Sequence, residues 1–283
     1  MTSTVPRWQR GSTLLLVLLT TAVVVIGFTR PEQYPAVVRT PLFVQDAVVL
    51  LVGVPALLVG LWTAHRGSLA GRIVWLGALT NSAYVWLSVG LQVPFNRFFL
   101  AYSALFCLSL FTLVGGVLAT DPEFLRSALE DRLPERLYAG VLLVIAGGLA
   151  LLWLAELVPA TVSGRPPTLV AEVGPQALVS HFVDLSIVAP GLAVAGLWLR
   201  RGRPWGYVLA GIGVVFGAIL APTLTGATVV FALAGDVTVS TAVVGFTVLP
   251  ALLALVLAVG YLRALSDGRQ ATDRSPGATD APR

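Results

Sequence analysis

Lysine is absent from the 283-residue sequence, so a retinal Schiff base is impossible and every basic side chain that holds its charge is an arginine. Cysteine occurs once, at Cys107, which excludes an internal disulfide and a cysteine-based metal site. Set between Leu105 and Leu108, it reads as a small core residue. The two histidines, His65 and His181, fall near opposite ends of different apolar stretches. They cannot clamp one haem or share one metal, and no cofactor is expected.

Charge is scarce as well. Only 11% of the residues are charged, against about 25% in soluble domains. Hydrophobic residues reach 57% and the mean hydropathy is +0.87, more apolar surface than one soluble core can hide, so the solvent must be lipid. The formal net charge of +4 is not gathered into an aromatic-interleaved basic patch, which argues against nucleic acid as a partner. Walker and H-E-x-x-H motifs are missing, and no G-x-S-x-G elbow stands out. A trio of Ser103, His181 and an acid carries no weight, because such residues are common; no catalytic residue is assigned.

Long apolar runs fill the rest. Crossing a hydrocarbon core takes roughly 17–25 residues, and eight stretches qualify. They are Gly11–Phe28, Phe43–Ala64, Ile73–Gln92, Phe98–Ala119, Leu137–Leu157, Leu178–Leu199, Trp205–Leu233 and Thr241–Leu262. Only helices keep the backbones of such runs satisfied in lipid, so the expected fold is an all-α bundle of eight transmembrane helices. The first run is longer than a signal-peptide core and no A-x-A-like site follows it, so it is kept as a span; cleavage would leave seven. Of the 18 arginines, only Arg30, Arg39, Arg97 and Arg165 fall on one side of the eight-span arrangement. That asymmetry puts both termini in the cytoplasm of a cell-membrane protein.

Residues 1–265 form one polytopic domain, with halves at 11–119 and 137–265 joined by a mixed-charge cytoplasmic connection over 120–136. Residues 266–283 have the composition of a disordered cytoplasmic tail. The stretch from Phe43 and Asp46 through Pro55, Gly60-Leu-Trp62, Arg66-Gly67 and Gly71 parallels Phe182 and Asp184 through Pro190, Gly196-Leu-Trp198, Arg201-Gly202 and Gly206. Two parallel four-helix repeats would produce this, as would the chemistry shared by all membrane edges.

An acid inside an apolar run is the strongest functional signal, since a charge at a helix centre costs about 2.5–3.5 kcal/mol. Asp184 is such an acid, with His181 one turn away on the same face. Asn81, Tyr84, Ser88 and Gln92 make a polar stripe along the third span. Pro222 and Thr223, in Ala221-Pro-Thr-Leu-Thr-Gly226, are expected to interrupt the seventh span at about the depth of Asp184. Asp46 and Glu156 are read as end-of-helix acids that cap or snorkel. Together these residues predict an outward-facing polar pocket that binds or transports a small solute or cation. An accessory or scaffold subunit, with the lipid bilayer and a homo-oligomer or partner membrane subunit as its surroundings, is the alternative. A membrane-embedded enzyme using His181 and Asp184 on a lipid or isoprenoid stands behind both.

Overall fold

The computed structural model describes residues 4–233 and 241–273, and every regular element among them is helical. The helices are α1 (Arg7–Thr29), α2 (Arg39–His65), α3 (Leu69–Gln92), α4 (Phe99–Leu118), the short α5 (Pro122–Leu129), α6 (Glu135–Ser163), the short α7 (Thr168–Val173), α8 (Pro175–Arg200), α9 (Pro204–Leu233) and α10 (Thr241–Asp273). All but α5 and α7 contain a stretch long and apolar enough to cross a membrane, which for α9 and α10 runs over Pro204–Val230 and Val248–Ser266. The chain is therefore a multi-pass helical bundle of eight such helices. Its two ends are distinguished below as arginine-rich (the starts of α1, α3 and α9) and arginine-poor.

α3 is the buried centre, packed between α2, α4 and α9. Its Trp75 and Trp86 are enclosed, and the Trp75 indole N–H donates to Thr13 Oγ1 at 3.1 Å, tying α1 into the bundle. α3 also carries the polar stripe. The helix with the most polar face thus takes the interior position, where lipid cannot reach that face.

Two helices change their winding ahead of a proline. Pro55 and Pro190 lack an N–H, and in a regular helix each ring would meet the carbonyl four residues back. The chain widens instead into single π turns, Val49–Gly53 in α2 and Asp184–Val188 in α8, closed by the five-residue bonds Val54 N–H to Val49 O and Ala189 N–H to Asp184 O. Such turns relieve the proline and re-aim the side chains beside them.

Both helices then end in the same reversal. Gly67 (φ 83°) and Gly202 (φ 62°) take left-handed backbone, which a side chain would disfavour. The bonds Ser68 N–H to Thr63 O (3.0 Å) and Arg203 N–H to Trp198 O (2.9 Å) close the two turns alike.

α5 is more than a spacer. The Asp121 carboxylate accepts from the backbone N–H groups of Glu123 and Phe124, both at 3.1 Å, and Pro122 occupies the first turn. Leu125 and Leu129 are fully buried where α5 packs on α9 and α10. Asp121→Ala should therefore lower stability by about 1 kcal/mol, visible as a lower unfolding temperature of the purified protein.

Three expectations change. α9 runs unbroken through Pro222, because a membrane helix re-satisfies the freed carbonyl locally. Cys107 is exposed: α4 buries only a narrow face through Leu105, Ser109 and Thr112, and Cys107 lies off it. α10 extends to Asp273, into the stretch whose composition suggested disorder; residues 274–283 lie outside the described residues.

Candidate functional site

The π turn of α8 begins at Asp184, and its carboxylate faces α3 and α6. Tyr84 O–H donates to Oδ1 at 3.2 Å and the Trp153 indole N–H donates to Oδ2 at 3.0 Å. The Tyr84 ring in turn meets Phe216 of α9 edge-on, centroids 5.6 Å apart. Four helices thus build the surroundings of a carboxylate that is only 8% exposed. Both of its donors are neutral. The ion pairs found among the described residues, Arg126–Glu130 and His181–Glu156, do not include it.

His181 does not pair with Asp184 as its one-turn spacing suggested. Its Nε2 lies 3.1 Å from Glu156 Oε2 on α6, and its Nδ1 lies 2.9 Å from Ala177 O. A carbonyl can only accept, so Nδ1 carries a hydrogen. A second hydrogen must then lie between Nε2 and Glu156, held by either partner, because a lone pair facing a carboxylate repels it. The couple therefore holds one shared proton and is neutral overall. Glu156, read from sequence as a cap or snorkelling acid, also accepts Leu169 N–H at 2.7 Å, which fixes α7 over the site.

Trp153 connects the two groups. Its ring centroid lies 4.1 Å from that of His181 while its N–H reaches Asp184. From the arginine-poor end inward the order is Glu156, with 23% of its side chain exposed, then His181 at 2%, then Trp153 and Asp184. A partly wet acid thus meets a dry histidine, whose ring packs at a tilt against the indole that holds a buried carboxylate.

Glu156→Gln tests the shared proton directly. With only two histidines in the chain, nitrogen NMR of labelled histidine can follow both rings. The glutamine amide can donate to Nε2 but carries no transferable proton, so His181 should become a neutral ring with hydrogen on Nδ1 alone. A ring found with hydrogen on Nε2 alone would contradict the assigned geometry.

Asp46 is a second buried acid, 1% exposed rather than the exposed cap expected of it. Tyr34 O–H donates to its Oδ2 at 2.9 Å. Burial first, and then the neighbouring Asp46 carboxylate, hold the Tyr34 phenol well above its ordinary pKa, so it remains a donor. Gly27 makes room for this pair. A Cβ there would lie 3.2 Å from Asp46 Oδ2, 3.3 Å from Tyr34 Oη and 2.6 Å from Gln33 Nε2.

The other expected site residues separate. Asn81 and Ser88 are buried on α3, with Asn81 Oδ1 and Ser88 Oγ lacking hydrogen-bond partners among the described residues, and Gln92 lies half-buried at the helix end. Only Tyr84 of the stripe reaches Asp184. Pro222 lines an apolar groove against Val44, Val48 and Leu51 of α2, and Thr223 is half-buried one residue on. Ser103 is exposed and bonded to Phe99 O of its own helix. Sequence reasoning missed Trp153 and Tyr34 as partners. Their signals, a tryptophan within an apolar run and a tyrosine in a connection, are ordinary at membrane edges.

Set against known proteins, the chain matches no family model, no curated protein and no solved structure.

Proposed function

We propose that the protein binds a proton or small monovalent cation at Asp184 and moves it between that site and the solution at the arginine-poor end, in a bundle of two parallel four-helix halves. The arginine-rich end is the cytoplasmic one on this reading, so the site faces outward from a cell membrane. One observation carries it: Asp184 is a carboxylate within an apolar helix whose hydrogen-bond partners among the described residues are the neutral donors Tyr84 and Trp153. A bare charge there is costly, so the group needs a proton or a cation as company. The adjoining His181–Glu156 couple, already sharing one proton, supplies an exchange partner toward water. Enzymatic use of His181 and Asp184 as one acid–base couple loses its motivation, since each has a different partner.

An accessory-subunit reading draws on α6. Leu137, Val144, Leu151 and Val162 along that helix are exposed, the least enclosed of the eight candidate spans. Lipid or a partner subunit would cover them.

The test is charge movement in proteoliposomes adsorbed on a solid-supported electrode. Acid, sodium or potassium jumps should evoke a saturable transient current from the wild-type protein. Absence of any transient across all three would sink the proposal and leave the accessory reading.

A further inference from the structure

A cavity opens at the arginine-poor end, between the connections that follow α1 and α3. This end holds only Arg30, Arg39, Arg97 and Arg165, yet Arg30 and Arg97 line one cavity of about 140 Å³. A single water needs only roughly 10–15 Å³, so the space suits a polyatomic group. Glu32, Gln33, Asn96 and Phe98 complete the lining.

The walls are built rather than accidental. A short turn over Pro31–Gln33 follows α1, and the Asn96 side-chain amide donates to Gln33 O at 3.3 Å, joining this turn to the connection between α3 and α4. Asn96 Oδ1 accepts Phe98 N–H at 2.8 Å, which fixes the opposite wall. Neither arginine belongs to an ion pair among the described residues. Both polar atoms of the Gln33 side-chain amide are buried without a hydrogen-bond partner among the described residues. That amide turns inward, toward Gly27 and the Asp46–Tyr34 pair, so the charged groups free to meet a ligand in the cavity are the exposed Arg30, Glu32 and Arg97.

Charge decides the ligand class. Two guanidinium groups favour an oxyanion, which they can grip through charge-assisted hydrogen bonds. Glu32 adds one negative charge on the same wall, which would oppose a bare anion and attract an ammonium. We infer that this cavity binds a small zwitterion, its phosphate on Arg30 and Arg97 and its ammonium on Glu32. At the end of a membrane bundle that chemistry comes either from a phosphatidylethanolamine headgroup or from free phosphoethanolamine.

Titration of the detergent-purified full chain, read by native mass spectrometry, separates the outcomes. The probes are dioleoyl phosphatidylethanolamine, dioleoyl phosphatidylglycerol and free phosphoethanolamine. Wild-type protein should retain the ethanolamine lipid over the glycerol lipid, and Arg30→Ala/Arg97→Ala should weaken that binding at least about tenfold. Glu32→Gln should erase the preference while leaving phosphatidylglycerol binding in place. All three positions are exposed, so the variants should fold, and an unchanged unfolding temperature checks this. Free phosphoethanolamine binding with the same dependence on Arg30, Arg97 and Glu32 would make the ligand soluble; binding of the lipid alone makes it the headgroup. Tighter binding of phosphatidylglycerol by the wild type, indifference to the arginine pair, or no retention of any probe would overturn the inference.

Discussion

Asp184→Asn is expected to abolish the transient current evoked by an acid or cation jump, lowering apparent affinity roughly 60- to 300-fold. That factor corresponds to the roughly 2.5–3.5 kcal/mol that an uncompensated charge costs within a membrane helix, at 1.4 kcal/mol per tenfold. The wild-type carboxylate offers acceptors to both Tyr84 and Trp153. An amide offers one oxygen and turns an NH2 toward the second donor, so this variant also loses about 1–3 kcal/mol of stability. Tyr84→Phe separates the two effects. It keeps the carboxylate and the Trp153 bond, so its current should persist with a several-fold weaker or stronger half-saturation. A full-sized, unshifted current from Asp184→Asn would remove Asp184 from the mechanism. Loss of current in Tyr84→Phe as well, with normal unfolding temperature, would make the tyrosine hydroxyl part of the conducted path.

How these residues come together explains which parts were legible beforehand. The eight helices follow from apolar length alone, since nothing else satisfies the backbone in lipid. Asp184 was visible for a similar reason, because an acid in such a run must have a purpose or a partner. Tyr84, 100 residues away, was legible as part of the polar stripe, but not as the one member that reaches the carboxylate; Trp153, 31 residues away, was not legible at all, since the facing of its helix depends on packing. The His181–Asp184 pairing was a reasonable expectation from helical spacing, yet Glu156, 25 residues away, is the residue that meets the ring. Spacing within a helix says which side chains share a face; the neighbouring helix decides which of them is engaged. Cys107 teaches the converse, since uniformly apolar sequence hides which side of α4 touches protein. Proline was informative only in part. Pro55 and Pro190 follow widened turns, whereas Pro222 sits in a continuous helix, a distinction the proline itself does not announce.

The two helical reversals carry the other large expected effect. A Cβ on Gly71 would lie 2.1 Å from Thr63 Oγ1 and 2.7 Å from Ala64 N; one on Gly206 would lie 2.2 Å from Leu199 N and 2.4 Å from the Trp198 carbonyl carbon. At Gly206 the obstructing atoms are all backbone, and at Gly71 the Ala64 N and the Thr63 Cβ cannot rotate away, so Gly71→Ala and Gly206→Ala should each cost about 3 kcal/mol or prevent recovery of folded protein. Gly191→Ala, with nothing within 4 Å of the added methyl, is the control and should be neutral or stabilising by up to about 1 kcal/mol. The pair also tests the proposed repeat. Pro55 and Pro190, Gly67 and Gly202, and Gly71 and Gly206 share one separation of 135 residues (190 − 55, 202 − 67, 206 − 71), and the π turns begin at the same separation (184 − 49). Asp46 and Asp184 do not: in this register Asp46 corresponds to His181, so on the proposed repeat the acids would be separate additions to a shared backbone. Residues beside a two-fold axis meet their own equivalents. Gly77 and Ile212 are 135 apart (212 − 77), and a Cβ on Gly77 would lie 3.3 Å from Ile212 O, where α3 packs on α9. Two copies of one hairpin should respond alike, so the destabilisations of Gly71→Ala and Gly206→Ala should agree within about 1 kcal/mol in unfolding measurements. A severe loss at one position beside tolerance at the other would count against a common origin of the two halves.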